Sequence, residues 1–246
     1  MENVLEICAG DIGSVLAAAE GGAHRVELCS ALEVGGLTPS EGFIRAAATQ
    51  KGVKCHVLIR PRGGDFVYSH DEVDIMLDDI ATAARCGASG VVIGALTPDN
   101  RVDSDICAGL IDRAKDLGLS VTFHRAFDCV SDPSAALDAI VSMGADRLLT
   151  SGMARSAMEG VAVLKRLNER AAGRITLIAA AGVSSANAAE VVRLSGCHEI
   201  HASARKPARS SAVCSADGVC SEFYSDTRLT TDAAEVKAIL KAIQKL

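Results

Sequence analysis

The feature that most constrains this 246-residue chain is a short unit that returns eight times along it. Each unit has a strand-like apolar run, a loop, an Ala/Leu-rich helical stretch and then a glycine just before the next run. Glycine ends a helix well because it takes the left-handed backbone conformation without steric strain. The glycines in this position are Gly22, Gly52, Gly87, Gly118, Gly144, Gly173 and Gly196.

The eight runs predict eight parallel strands that close into a barrel. Strands that alternate with helices form parallel sheets covered on both faces. Eight such units in about 250 residues is the count of the α/β class (β/α)8 TIM barrel. A doubly wound sheet is the alternative, but it needs no such regular eightfold return. The predicted strands cover residues 4–8, 25–29, 54–60, 90–94, 119–124, 147–150, 175–180 and 199–203.

No break in composition divides the chain, so we predict a single TIM-barrel domain over residues 1–246. Residues 204–231 have the composition of a loop, and residues 232–246 are predicted to form an additional C-terminal helix. Val236, Ile239, Leu240 and Ile243 fall on one face of that helix, which predicts that it packs on the barrel and closes it.

Composition excludes several classes of partner. A net charge of -6 and 3% aromatic residues argue against binding to nucleic acid. The sequence shows no signal peptide and no run near the roughly 20 apolar residues of a membrane span. Nine cysteines without a CxxC pair predict reduced thiols in the cytoplasm. Cys214 and Cys220 are predicted to be exposed loop thiols, and the sequence assigns them no role. Assembly into a homo-oligomer is an open alternative.

Alternation along the predicted strands turns polar side chains toward the barrel axis and apolar ones toward the helices. Burying charges costs several kcal/mol per ion before pairing offsets it, so stability alone is a poor reason to keep them. The polar set is either a paired network that fills the barrel or the lining of a site. Its members are Glu6, Cys8, Glu27, Cys29, His56, Arg60, Thr122, His124, Glu199, His201 and Ser203.

The carboxyl ends of the strands are a second indication of a site, because active sites in this fold lie there. Convergent arginines predict an anionic ligand, and solvated charges at the barrel rim are the alternative. The long loops 30–42 and 61–69 each contain a Gly-Gly pair and are predicted to fold over the opening as lids. The strand ends and loops carry Arg60, Arg62, Asp65, Arg125, Asp128, Ser151 and Arg205.

Motifs from the first strand to the eighth resemble the copper homeostasis protein CutC family. They are LEIC at 5–8, RVELCS at 25–30, GGLTPS at 35–40, IRPRGGDF at 59–66, FHRAFD at 123–128, LTSG at 149–152 and IHASA at 200–204. The resemblance implies a cytoplasmic TIM barrel that binds or handles copper(I), with Cys8 and Cys29 as the metal ligands and no organic cofactor.

Local chemistry permits this metal site. Cys8 and Cys29 would lie at the ends of neighbouring strands, whose backbones are about 4.8 Å apart, and thiolates suit soft copper(I). Two small buried thiols that behave as apolar side chains are the alternative. Glu6 and Glu27 lie beside the thiols, and we expect their negative charge to raise the cysteine pKa values.

The second function that the residues allow is a barrel enzyme acting on a small anionic metabolite. Glu27 or His124 would be the general base, and Arg60 with Arg125 would position the substrate. A non-catalytic assembly subunit is a third alternative. The remaining residues predicted to bind the ligand are Glu6, Arg62, Asp65, Asp128, His201 and Ser203.

One turn departs from the family pattern. Members of the family carry a glycine-rich turn after the seventh strand, and this chain has Ala180-Ala181-Gly182-Val183 there. A phosphate cradle is thereby weakened, although Ser184, Ser185 and the N-terminus of the following helix remain candidates for holding an anion.

Overall fold

The computed structural model describes residues 2–209 and 227–244, and its centre is a closed barrel of eight parallel strands. The strands pair in chain order, and β1 is hydrogen-bonded to both β2 and β8. This confirms the predicted TIM barrel, and each observed strand agrees with its predicted bounds to within two residues. The strands are β1 Val4–Ala9, β2 Arg25–Leu28, β3 Lys54–Leu58, β4 Gly90–Ile93, β5 Ser120–Phe123, β6 Arg147–Thr150, β7 Thr176–Ala179 and β8 Glu199–Ala202.

Helices cover the outside of the barrel, and two 3-10 turns, Leu32–Val34 and Arg125–Cys129, lie in its loops. All seven punctuating glycines have positive φ, as their position before a strand predicted. Among the described residues, no helix has the length and apolar character needed to cross a membrane. The helices are α1 Ile12–Gly21, α2 Glu41–Ala48, α3 His70–Arg85, α4 Ser104–Asp116, α5 Pro133–Ser142, α6 Val161–Ala171, α7 Ala188–Ser195 and α8 Ala233–Ile243.

The C-terminal helix packs as predicted. Asp232 caps α8 by accepting a hydrogen bond from the Glu235 amide at 2.8 Å. Val236, Ile239 and Ile243 are fully buried, and the helix lies against α1 and α7. The additional helix therefore covers the outer layer where the first and last units of the barrel meet.

The prediction of a loop over residues 204–231 is wrong at both of its described ends, because each end forms a strand. β9 Arg205–Arg209 and β10 Thr227–Thr231 pair in antiparallel orientation. Most side chains of this two-stranded ribbon are exposed, so its main-chain hydrogen bonds hold it together. Its sequence has no alternation of apolar residues from which the strands could be predicted. Thr231 also ties the ribbon to α1 through a hydrogen bond from its amide to Ser14. Cys214 and Cys220 lie outside the described residues.

The strand faces divide as alternation predicted. Leu5, Ile7, Val26, Leu28 and Phe123 are completely buried and join the core formed with the helices. Full burial of one such side chain contributes about 1.5–3 kcal/mol. The opposite faces are left to fill the barrel.

Part of the barrel interior is a paired ionic network. Arg25 contacts the carboxylates of Glu6 and Glu199, and Arg147 lies 3.3 Å from Glu199 and donates to Ser120. Burial alone would raise the pKa of Glu6, but Arg25 and His201 outweigh it and hold that pKa well below its ordinary value. Two alternatives were open for the polar interior, a paired network or the lining of a site. Glu6, Arg25, Arg147 and Glu199 form the paired network.

Removing one partner of this network should destabilise the protein strongly. Arg25→Ala leaves the buried Glu6 carboxylate uncompensated, so we expect the free energy of unfolding to fall by about 3–5 kcal/mol. Arg45→Ala breaks the exposed pair with Glu41 and is the matched control, for which we expect little change. Urea denaturation followed by circular dichroism measures both, and equal losses would contradict the role given to the network.

Candidate functional site

A cavity of about 860 Å³ opens at the carboxyl ends of the barrel strands. Three of the predicted site residues, Glu6, Arg62 and Asp65, do not line it. The other predicted residues do, although they come from strands and loops far apart in the sequence: Cys8, Glu27, Cys29, Arg60, His124, Arg125, Asp128, His201 and Ser203.

The register of three neighbouring strands brings the thiols, an imidazole and a carboxyl group together. Cys8 on β1 pairs with Glu27 on β2, and Glu6 on β1 pairs with His201 on β8. Donor atoms of Cys8, Glu27 and His201 lie within 4.8 Å of one another. Cys29 follows β2, and its Sγ lies 3.8 Å from Sγ of Cys8.

The two thiols have opposite pKa shifts. A hydrogen bond from the Cys29 thiol, together with His201 and Arg205, outweighs burial and lowers the pKa of Cys8 to about 5. The same contact with Cys8, burial and the charge of Glu27 raise the pKa of Cys29 well above its ordinary value. The expected rise is thus confirmed for Cys29 and wrong for Cys8, whose pKa is lowered.

His201 is held between two carboxyl groups. Its Nδ1 lies 2.7 Å from Glu6 Oε1, and its Nε2 lies 3.7 Å from Glu27 Oε2. Burial disfavours the imidazolium, but Cys8, Glu6 and Glu27 outweigh it and raise the pKa of His201 well above its ordinary value. Glu6 was predicted to contact a ligand, but it lies beneath the cavity and orients His201 instead.

Glu27 remains available for proton chemistry. Burial raises its pKa to about 8, with a further contribution from the negative charge of Cys8 and Glu6, while His201 opposes the rise. No short ion pair to an arginine or lysine forms at this carboxyl group among the described residues. Glu27 is therefore a buried carboxyl group whose raised pKa favours its protonated form.

His124 is not suited to act as a general base. Its Nδ1 accepts a hydrogen bond from the Ala126 amide at 3.2 Å, so Nε2 carries the proton of the neutral ring. Burial lowers the pKa of His124 to about 3, and the charge of Arg60 acts in the same direction. Gly94 makes room for this ring, since a Cβ there would approach it to 2.6 Å. Of the two predicted bases, only Glu27 keeps the required chemistry.

Arg60 holds the two loops that were predicted as lids. Its Nη1 donates to the carbonyls of Val34 and Gly36, and its Nη2 donates to that of Gly64, each at 2.9 Å. The Phe66 ring packs 5.0 Å from its guanidinium carbon. Most of its donors are therefore used within the chain, which gives Arg60 a structural role at the cavity wall.

Arg62 and Asp65 form rim contacts outside the cavity. Arg62 lies 3.0 Å from Asp65 and 2.5 Å from Glu72. Their position after a strand end suggested a place in the site, but the loop carries them away from the opening. For this pair, the alternative of solvated rim charges holds.

Asp128 shapes the loop that follows β6. Its carboxylate accepts hydrogen bonds from the Thr150 hydroxyl, the Ser151 hydroxyl and amide, and the Met153 amide. Arg125 donates to it at 2.8 Å and reaches Ser151 at 3.2 Å. Because these contacts use most of its acceptor capacity, Asp128 supports the wall and is not a free base.

The anion position after β7 is filled by the chain itself. The amide and hydroxyl of Ser185 donate to the two carboxylate oxygens of Glu235 on α8, at 2.9 and 3.1 Å. Ala181 nevertheless has φ of 77° and Gly182 has φ of 67°, so the turn keeps left-handed backbone at an alanine. Glu235 occupies the place that the sequence left open for an external anion.

Phe66, Met153 and Arg155 also line the cavity, although the sequence motifs did not predict them as site residues. Arg155 follows β6 at the edge where side chains gather in this fold. That rule was enough to find it, whereas the course of the loop that carries Phe66 could not be read from the sequence.

We expect His124 and His201 to have pKa values shifted in opposite directions. His124 should stay neutral down to about pH 3, with its proton on Nε2, while His201 should stay protonated well above pH 6.5. Nitrogen-15 NMR of the histidine rings measures both, with His124→Gln to assign the signal. Because the unfolded chain binds the His124 proton more tightly, unfolding should become easier as the pH falls below about 6.5. Titration of His124 near 6.5 would contradict this assignment.

Comparison with known proteins agrees with the order of the motifs along the barrel. The model of the CutC family matches residues 3–206. A CutC family protein of Pasteurella multocida is 42% identical, and the match covers 98% of this chain and 99% of that protein. The human protein named copper homeostasis protein cutC homolog is 41% identical over 98% of this chain and 90% of its own length.

A solved structure shows the same relationship. The CutC crystal structure from Streptococcus agalactiae superposes with a TM-score of 0.77 at 34% identity, covering 82% of this chain and 98% of that one. Sequence and fold agree over the barrel that carries the thiol, imidazole and carboxyl cluster. The chain therefore belongs to the CutC family.

Proposed function

We propose that this protein binds copper(I) in the cytoplasm, with Cys8 and Cys29 as the sulfur ligands. The observation that carries the proposal is the 3.8 Å separation of the two sulfurs at the floor of an open cavity. The name of the human relative, a copper homeostasis protein, supports the same assignment. A reducing compartment would keep both the thiols and copper(I) in the required state.

The donor chemistry of the cluster fits this ion. Soft thiolates select copper(I) over hard cations, and the lowered pKa of Cys8 favours its thiolate form. Cys29 would lose its proton on binding, as metal ligands must. Glu27 is a hard donor that keeps its proton at neutral pH, so it competes weakly for the position.

His201 has the arrangement of a third ligand. Histidines that bind metals commonly hold their other ring nitrogen against a carboxylate, which fixes the ring and its tautomer. Here Nδ1 contacts Glu6, leaving Nε2 on the side of Glu27 and the cavity. Release of a proton from His201 would therefore accompany its use as a ligand.

Replacing both sulfur ligands should abolish binding. We expect Cys8→Ser/Cys29→Ser to lose the one copper(I) per chain that the unaltered protein retains, because serine offers no soft donor. Anaerobic titration against a chromogenic copper(I) chelator measures the affinity. Cys86→Ser/Cys129→Ser is the matched control, since it removes two accessible thiols and Cys129 borders the same cavity.

Unchanged affinity in the Cys8→Ser/Cys29→Ser variant would refute the proposal, as would equal loss in both variants. The same titration with Zn²⁺ tests the metal. Tighter retention of Zn²⁺ than of copper(I) under identical reducing conditions would also refute it.

The pKa of Glu27 favours a second candidate function, an enzyme that moves a proton on a small anionic metabolite. A carboxyl group with a pKa of about 8 can serve as acid or base near neutral pH. It lines a cavity whose volume suits a small organic molecule. In this candidate Glu27 alone carries the proton, because His124 remains neutral with Nδ1 in use.

The enzyme candidate predicts that a small carboxylate or carbonyl compound raises the melting temperature. Glu27→Gln should keep that shift and lose turnover by a factor of about 10²–10⁴, the usual contribution of a general acid or base. Glu159→Gln, at the exposed side of the same cavity, is the control that should retain turnover. Failure of every compound in a metabolite panel to shift the melting temperature, with nothing retained after purification, rejects this candidate.

A further inference from the structure

The sulfur pair occupies only the floor of the cavity. The space of about 860 Å³ lies within the range of about 300–1,000 Å³ that proteins use for small organic ligands. One copper ion at Cys8 and Cys29 would leave nearly all of this space to other molecules. The size of the cavity therefore indicates a ligand larger than the ion.

The wall of the cavity offers two arginines without an acidic partner. Arg155 and Arg205 are exposed, line the cavity and form no ion pair with any residue in 2–209 or 227–244. Arg125, by contrast, is paired with Asp128, and Arg60 is held by backbone carbonyls. Guanidinium groups match carboxylates in shape and charge, so Arg155 and Arg205 favour an organic anion.

The anion-binding side chains and the sulfur ligands face one volume. Arg205 is the first residue of β9, just beyond β8, and lines the same cavity as Cys8 and Cys29. Apolar side chains also line this volume, among them Leu32, Phe66 and Met153. A ligand with an apolar stem and an anionic end matches this arrangement.

Cys8 and Cys29 differ in access to the cavity. Cys8 is 9% exposed and Cys29 is 2% exposed, and both line the cavity. An ion bound at this floor would therefore still meet molecules that enter from above. The soft character of copper(I) makes sulfur the preferred donor for such a molecule.

We propose that the cavity binds copper(I) together with a small thiol that carries carboxylate groups. The thiol sulfur binds the ion held by Cys8 and Cys29, and the carboxylates bind Arg155 and Arg205. The step is a ligand addition without electron transfer: the S–H bond of the thiol breaks and its proton passes to solvent, a copper–sulfur bond forms, and the sulfurs of Cys8 and Cys29 stay bound. This inference rests on the proposed copper(I) function. It adds that the ion enters or leaves the cavity as a complex with an anionic thiol.

The test uses glutathione as the anionic thiol and 2-mercaptoethanol as a thiol without carboxylates. Anaerobic native mass spectrometry of the full chain counts copper and thiol, and X-ray absorption counts the sulfur atoms around the ion. With glutathione we expect one copper and one thiol per chain and three sulfur neighbours. Without added thiol we expect two sulfur neighbours around the ion. We expect 2-mercaptoethanol at the same concentration to be retained at least about tenfold more weakly than glutathione.

Paired arginine variants test the anion contact. Arg155→Ala/Arg205→Ala should weaken retention of glutathione at least about tenfold, a loss of the size expected for removed charge-assisted hydrogen bonds. Arg113→Ala/Arg166→Ala removes the same charge from two exposed positions on α4 and α6, outside the cavity, and should retain glutathione like the unaltered protein.

The outcomes separate the two proposals. Absence of copper(I) under every condition refutes the proposed function itself. Copper bound with two sulfur neighbours and no retained glutathione refutes only the inference about the thiol. Equal retention of glutathione and 2-mercaptoethanol, or no difference between the two arginine variants, refutes the assignment of Arg155 and Arg205.

Discussion

The buried carboxylate of Glu6 is the contact on which the site depends. It lies on β1, the strand that joins β2 to β8 and so closes the barrel. On one side it forms an ion pair with Arg25, and on the other it lies 2.7 Å from Nδ1 of His201. A charge buried this deeply is tolerated only when its partners are in place, so closure of the barrel and orientation of His201 depend on one group.

The charges of the cluster follow from that carboxylate. Ionised Glu6 favours the protonated form of His201, and protonated His201 favours the thiolate of Cys8. Glu27 then lies beside negative charge and keeps its proton near neutral pH. Cys29 keeps its proton for the same reason and because its hydrogen bond to Cys8 requires it. One buried anion thus contributes to the pKa values of four neighbours: Cys8, Glu27 and His201 lie on β1, β2 and β8, and Cys29 directly follows β2.

The fold and the direction of the strand side chains were accessible from the sequence, because both depend on local periodicity. Helix-ending glycines and alternation located the strands and turned Glu27 and His201 inward. The contacts that each side chain makes could not be predicted from the sequence. The sign of the Cys8 pKa shift depends on a sulfur 3.8 Å away and on His201, more than 190 positions along the chain. Arg60 lies on the predicted wall, yet only the loop paths show that backbone carbonyls use its donors.

The two proposed functions, metal binding and proton transfer, would compete at the floor of the cavity. A cation bound beside Glu27 would stabilise its carboxylate and lower its pKa, because a bound ion is commonly the largest local charge in a site. The same cation would favour neutral His201 and remove the imidazolium that now favours the Cys8 thiolate. The raised pKa that suits Glu27 to acid–base chemistry would therefore be lost when a cation binds beside it. The two proposals, copper(I) binding and catalysis by Glu27, consequently require different states of the protein and exclude each other at one site.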